Sequence, residues 1–320
     1  MSLKNTIIDY AHALGADLVG VARPKPYDDY LCEVNTRLDE TQAQGKDFML
    51  GSKDALSFFE GLAHAKHGLA RAQSILILGA YSFDQVGDYS ETRENLLGKT
   101  ARTYAYYPVV RQIAEQLVQY LNQHGYQAVQ GQQIPLKYVA QSIGLGTYGY
   151  NGLLFTEKLG SFVALRAVIT NAELEPDHFT APKMPCQSCG RCLKACPTGA
   201  LYAPYKVNPA RCINPLTRKE DDIPESLCQR MGNWVCGCDI CQEICPLNRS
   251  LTPRVADPRA RFDPEHHASH SLLAGLARTP DLRHLVETSH TVMKRNALIA
   301  LRNIGSEEAL CILRSNDDRV

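Results

Sequence analysis

Residues 186–200 read CQSCGRCLKACPTGA and residues 237–246 read GCDICQEICP. The first stretch sets Cys186, Cys189, Cys192 and Cys196 at C-x2-C-x2-C-x3-C spacing and closes on Pro197. Three closely spaced thiolates can wrap one cubane cluster, while the proline turns the chain so that the fourth serves a different cluster. The second stretch supplies Cys238, Cys241 and Cys245 before Pro246, and Cys212 lies between the two. This pattern assigns Cys186, Cys189, Cys192 and Cys245 to one [4Fe–4S] cluster. It assigns Cys196, Cys212, Cys238 and Cys241 to a second. Structural zinc also favours C-x2-C pairs, but it closes at four ligands and does not explain two runs that each end in Cys-Pro.

Working outward, 320 residues suffice for two domains and a short appendage. The 34 basic and 34 acidic residues balance, so bulk charge points to neither nucleic acid nor a membrane surface as partner. No apolar run is long enough to span a bilayer, and the amino terminus leads straight into an amphipathic helix without a signal peptide. Twelve cysteines with iron-ligand spacing then point to a reducing cytoplasm rather than to disulfides. Cys32, Cys228, Cys236 and Cys311 are left over, and each is expected to be a buried, inert thiol.

On the amino-terminal side, residues 3–14 carry a helical apolar stripe with Ser2 placed as its cap, and 16–22 reads as a strand. Residues 33–72 are expected to be mixed and largely helical. Residues 74–80 (SILILGA) form an unbroken apolar run of strand length and should be a central strand. After an aromatic knot at Tyr104, Tyr106 and Tyr107, Pro108 should open a helix that runs to Gly125. A strand at 126–129, a short helix at 135–143 and strands at 153–156 and 162–170 are expected next. Residues 144–152 (GLGTYGYNG) hold four glycines, so this backbone must bend sharply or approach something closely. The loop is neither a phosphate loop nor a dinucleotide fingerprint. Beyond a proline-punctuated linker, residues 269–314 have helical periodicity and must dock on the rest of the chain to bury it.

The two cysteine motifs, with Arg211-Cys212-Ile213 between them and Arg295-Asn296-Ala297 in the tail, resemble the epoxyqueuosine reductases in order along nearly the whole chain. That resemblance implies an α/β (α+β) fold in three parts. Residues 1–175 would be a nitroreductase-like, cobalamin-binding domain, 176–252 a ferredoxin-like domain with two [4Fe–4S] clusters, and 253–320 a linker and short HEAT-like helical tail. It implies reductive deoxygenation of epoxyqueuosine to queuosine in tRNA. Clusters would feed electrons to cobalt, and a ferredoxin, flavodoxin or similar donor would supply them. For cobalamin, it points to Gly144, Gly146, Gly149, Asn151, Gly152 and Ser161.

The chain departs from the family pattern in three places. Where the family carries a proton-donating aspartate, the corresponding segment here is Gln132-Gln133-Ile134-Pro135, and no Asp occurs between Asp88 and Asp177. The loop has Thr147, Tyr148 and Tyr150 where the family has Trp, Ile and Lys. The tail, with ten basic against nine acidic residues over 251–320, is no basic clamp. Candidate catalytic residues are therefore Tyr150, Tyr148, Gln132 and Lys137, with Tyr150 placed first. The loop is also similar to that of the cobalamin-dependent reductive dehalogenases, which use a tyrosine beside a basic side chain. This keeps a small-molecule substrate as the alternative to tRNA, and a pure electron carrier or corrinoid-reducing protein as a third reading.

Overall fold

The computed structural model describes residues 2–25, 27–43, 68–85, 96–131, 134–178, 186–260, 281–283 and 291–317. Its contacts divide the chain into two units, residues 1–81 with 109–188, and 82–108 with 189–320. The boundaries expected near 175 and 252 are therefore not where the contacts part. Segment 82–108 is counted with the cysteines rather than with the amino-terminal domain, and the helical tail belongs to the same unit. The helix Arg102–Gln123 contributes its first seven residues to the cysteine unit.

The first unit is built on a four-stranded antiparallel sheet in the order Leu18–Ala22, Ser74–Tyr81, Val163–Thr170, Ala128–Gly131. The apolar run at 74–81 is central, and all eight of its residues are buried. Successive strand side chains point to opposite faces. Ile75 and Ile77 therefore join Tyr27, Val139, Ala140, Ile143 and Leu154 in one core, while Leu76 and Leu78 are buried on the other face. Helix Leu3–Ala13 is capped by Ser2, whose Oγ accepts from the Asn5 N–H at 3.3 Å, and it buries Ile7 and Ala11. Helix Asp28–Ala43 follows the first strand, and helix Leu136–Ser142 precedes the glycine-rich loop.

In the second unit, Lys99–Thr100 pairs in parallel with Trp234–Cys236, and Leu201–Ala203 forms a hairpin with Lys206–Val207. Short helices at Arg191–Ala195, Ile213–Leu216, Glu225–Cys228 and Ile240–Glu243 carry or adjoin the cysteine motifs. Helices Thr291–Ile304 and Glu307–Asp317 form the described part of the tail. Met293, Ala297, Ala300 and Leu301 enter one core with Leu96, Ala101, Met231, Trp234 and Val235. Asn296, fully buried, donates from Nδ2 to the carbonyls of Thr217 at 2.8 Å and Val235 at 2.9 Å. Asn303 does the same for Cys228 and Gly232, both at 2.8 Å. The tail docks as its apolar period required.

Pro108 does not open its helix. The helix begins at Arg102 and holds Pro108 in its interior. A distant residue supplies the start, since the Arg102 N–H donates to Asp239 Oδ2 at 2.8 Å and satisfies a first-turn donor that no local residue caps. Cys228 and Cys236 are buried as expected, whereas Cys32 and Cys311 are exposed. No helix among the described residues is long and apolar enough to cross a membrane.

Candidate metal centres and active-site loop

Each half of the cysteine pattern ends in the same backbone conformation. Cys196 sits at φ −66°, ψ 110° and Cys245 at φ −71°, ψ 125°, both extended ahead of their prolines. Cys192 is buried on helix Arg191–Ala195, and Cys212 directly precedes helix Ile213–Leu216. Among the described residues no disulfide joins any of the cysteines. Burial pushes the Cys241 thiol well up, and the nearby Cys212, Asp239, Cys192 and Cys196 push it the same way. Cys238 is likewise raised by burial and feels Cys241 and Cys212. Cys212, Cys192 and Cys196 thus all lie near Cys241, and this proximity does not separate the two expected ligand sets. Buried thiols of this kind ionise when a metal takes their protons, so the donor set fits iron. Among the described residues, no three His, Cys, Asp or Glu side chains converge as one ion would need. A cubane places each thiolate on a different iron and so asks for spread ligands. Cys186 is partly exposed and is counted with the first unit.

Polar residues that the sequence reading had not singled out brace the second motif. Asp239, fully buried between Cys238 and Cys241, takes the Arg102 N–H and lies 3.5 Å from the Arg102 guanidinium. Gln242 Nε2 donates to its other oxygen at 2.7 Å. Burial pushes the Asp239 carboxyl up to about 6, against the lowering pull of Arg102. The Arg102 guanidinium continues to Glu243 Oε1 at 2.9 Å. Gly237 has φ +69°, and a Cβ there would stand 2.5 Å from the Tyr104 ring, so only glycine fits. Tyr104 donates to Asn214 Oδ1 and accepts from Arg218 at 3.1 Å. Tyr106 is equally internal and donates to Asp84 Oδ2 at 2.7 Å. The only local trace of this bracing was Gly-Cys-Asp inside the second motif.

In the loop, the expected close approach is to the chain itself. A Cβ on Gly146 would lie 2.4 Å from the Phe155 carbonyl oxygen, and one on Gly149 would lie 2.5 Å from the Phe155 ring. Gly144 and Gly152 take φ +79° and +71°. Gly149 N–H donates to Leu153 O at 2.9 Å, and buried Asn151 accepts from Leu153 N–H at 3.2 Å. Thr147–Tyr148 pairs antiparallel with Leu154–Phe155, so the loop is a tight hairpin. Ser161 is also buried. Lys137 Nζ donates to Gly152 O at 3.0 Å and lies 6.0 Å from the centre of the Tyr148 ring. Tyr148 and Tyr150 are both half-buried. The structure thus brings Lys137 to Tyr148, whereas Gln132 lies outside the described residues.

Residues 185–248 match the family described as a 4Fe-4S double cluster binding domain. An epoxyqueuosine reductase from Bacillus subtilis is 29% identical over 325 residues, covering 96% of this chain and 81% of that protein. One from Staphylococcus aureus is 27% identical, covering 96% and 82%. A crystal structure of an epoxyqueuosine reductase with an epoxyqueuosine-modified tRNA stem loop superposes with a TM-score of 0.76 at 28% identity, covering 98% of this chain and 84% of that one. This chain is a relative of the epoxyqueuosine reductases.

A Bacillus subtilis epoxyqueuosine reductase structure superposes with a TM-score of 0.78 at 27% identity, covering 99% of this chain and 86% of that one. Its catalytic loop is named for an aspartate and is described as swung out of the active site. This chain has no Asp between Asp88 and Asp177. In the tail, the family-like Arg295-Asn296-Ala297 acquires a physical role as the clamp on the carbonyls of Leu216, Thr217, Asp221 and Val235.

Proposed function

We propose that this protein is an oxidoreductase that removes the epoxide oxygen of epoxyqueuosine in a tRNA anticodon loop. The reaction consumes two electrons and two protons and releases water. The observation that carries this reading is the likeness to epoxyqueuosine reductases over 96% of the chain, cysteine motifs included. Cys186, Cys189, Cys192 and Cys245 would hold one [4Fe–4S] cluster, and Cys196, Cys212, Cys238 and Cys241 the other. Cysteines at iron-ligand spacing suit a reducing compartment such as the cytoplasm.

A cobalamin, when bound, supplies a strongly reducing cobalt centre. The buried Tyr27 OH has no hydrogen-bond partner among the described residues. Such a group is costly unless satisfied, and a cofactor rimmed with amides offers it a partner. The rigid hairpin at 144–152 holds Tyr148 and Tyr150 on a fixed backbone. Lys137 lies beside the Tyr148 ring, and this tyrosine is the candidate donor in place of the missing aspartate.

The test is anaerobic reconstitution with iron, sulfide and cobalamin, followed by incubation of the reduced protein with an epoxyqueuosine-containing anticodon stem-loop. Conversion to queuosine is the expected result. No conversion by fully loaded protein would overturn the assignment. The Lys137–Tyr148 pair also favours a second reading, a small-molecule reductase of dehalogenase type. A halogenated phenol offered to the same preparation separates the two.

A further inference from the structure

Between Asp177 and Glu220 the sequence holds seven Lys and Arg residues and no acidic one. In the structure, basic side chains of the cysteine unit gather at one turn. Arg211 Nε donates to Thr198 O at 2.8 Å, and Arg230 Nη1 donates to Pro197 O at 3.0 Å. These are carbonyls of adjacent residues, directly after the candidate ligand Cys196. Lys194 lies at the end of the short helix Arg191–Ala195 that leads into the same turn, with Arg191 three residues earlier on the same helix face.

Arg191, Lys194, Arg211 and Arg230 are all exposed, and among the described residues none is ion-paired with a carboxylate. Asp239 and Glu243 pair with Arg102, and Glu225 with Arg302. Cys189, an expected ligand of the first cluster, is exposed two positions before Arg191. Positive charge is therefore concentrated where the cysteines come closest to solvent.

We propose that this turn is the docking site for a small acidic protein that carries one electron at a time, on an iron–sulfur centre or a flavin. The inference rests on the cluster reading of the cysteines. One electron leaves the carrier and one enters a cluster, so no bond is made or broken and no proton is required. Electron-transfer encounters use small, wet, weakly held interfaces, and opposite charge raises their association rate. An RNA backbone, by contrast, is neutralised along a track of roughly six to ten cations. Four cations around a single turn beside a cluster ligand match the protein partner better. The carbonyl bonds hold Arg211 and Arg230 in place, so their remaining N–H groups face solvent pre-organised.

The experiment follows reduction of the iron-loaded protein by stopped flow, with a purified acidic ferredoxin or flavodoxin as reductant. Reduced methyl viologen, a small cation, is the control reductant. Arg230→Glu combined with Lys194→Glu should slow reduction by the acidic carrier about tenfold or more, and the unaltered protein's rate should fall steeply with salt. Reduction by viologen and iron content should not fall. Arg211→Gln, which keeps a donor for Thr198 O, should give a smaller loss in the same direction. Reduction by the carrier that ignores both salt and the substitutions overturns the proposal. Substitutions that weaken anticodon stem-loop binding but leave carrier reduction unchanged also overturn it, and assign the turn to RNA. Protein that never takes up iron would instead defeat the cluster reading, and iron analysis of the unaltered chain separates the two failures.

Discussion

The backbone N–H of Arg102 donates to Asp239 Oδ2 at 2.8 Å, joining residues 137 positions apart in the sequence. One carboxylate thus starts a helix and, lying between Cys238 and Cys241, holds the second cysteine motif against it. Asp239→Ala should leave the Arg102 N–H without its acceptor and the guanidinium with Glu243 alone, and cost about 1–3 kcal/mol. Asp239→Asn keeps an acceptor and should cost less. Urea unfolding of the iron-loaded proteins measures both, and equal costs would show that the charge, lost in both variants, carries the interaction rather than the acceptor.

The cysteine assignment predicts about eight iron atoms per chain in anaerobically prepared protein. Cys241→Ser should lower the content toward four. Cys236→Ser should leave it at eight, because Cys236 is 1% exposed, has its thiol pushed up to about 12 by burial, and lies outside both ligand sets. Zinc in place of iron, or iron loss on Cys236→Ser equal to that on Cys241→Ser, contradicts the assignment.

In the proposed reaction, Tyr148 beside Lys137 would deliver the proton. Tyr148→Phe should lower single-turnover rates by about a hundredfold or more while stem-loop affinity changes little. Lys137→Met should act in the same direction, and Tyr150→Phe should do less. A larger effect at Tyr150 would reassign the donor.

Gly146 and Gly149 face the same residue but not the same kind of obstacle. At Gly146 an added methyl meets the Phe155 carbonyl oxygen, which is backbone within a strand pair. At Gly149 it meets the edge of the Phe155 ring, which can rotate. Gly146→Ala should therefore destabilise the first unit more than Gly149→Ala, by about 1–3 kcal/mol. Thermal unfolding compares the two, and the reverse order would mean that the hairpin yields where the ring does not.

Asn296 satisfies two carbonyls with one amide group. Asn296→Ala should strand both in a dry interface and cost about 2–4 kcal/mol. Loss of the tail's protection in hydrogen exchange checks the location. A loss below 1 kcal/mol would show that water replaces the amide.

The sequence by itself determined those features whose physics is local or periodic. Cysteine spacing determined the cluster chemistry, because ligand reach along a turn depends on residue count alone. The run at 74–80 declared a buried strand, since its unbroken apolar stretch is of strand length and carries β-branched Ile75 and Ile77, and Ser2 could be read as a cap because a cap bonds within its own turn. The tail's apolar period required a docking partner without naming it. Tertiary structure decided the rest. The helix at Arg102 starts before Pro108 because its cap comes from Asp239, and no local signal reports an acceptor 137 residues away. The loop glycines face Phe155 because the chain folds back into a hairpin, which glycine count could not distinguish from an approach to a ligand. Lys137 reaches Tyr148, Asn296 reaches Val235, and Arg211 and Arg230 meet at adjacent carbonyls for the same reason. A side chain's partner is set by the path of the backbone, and a sequence records which groups can bond but not which ones the fold brings within 3 Å.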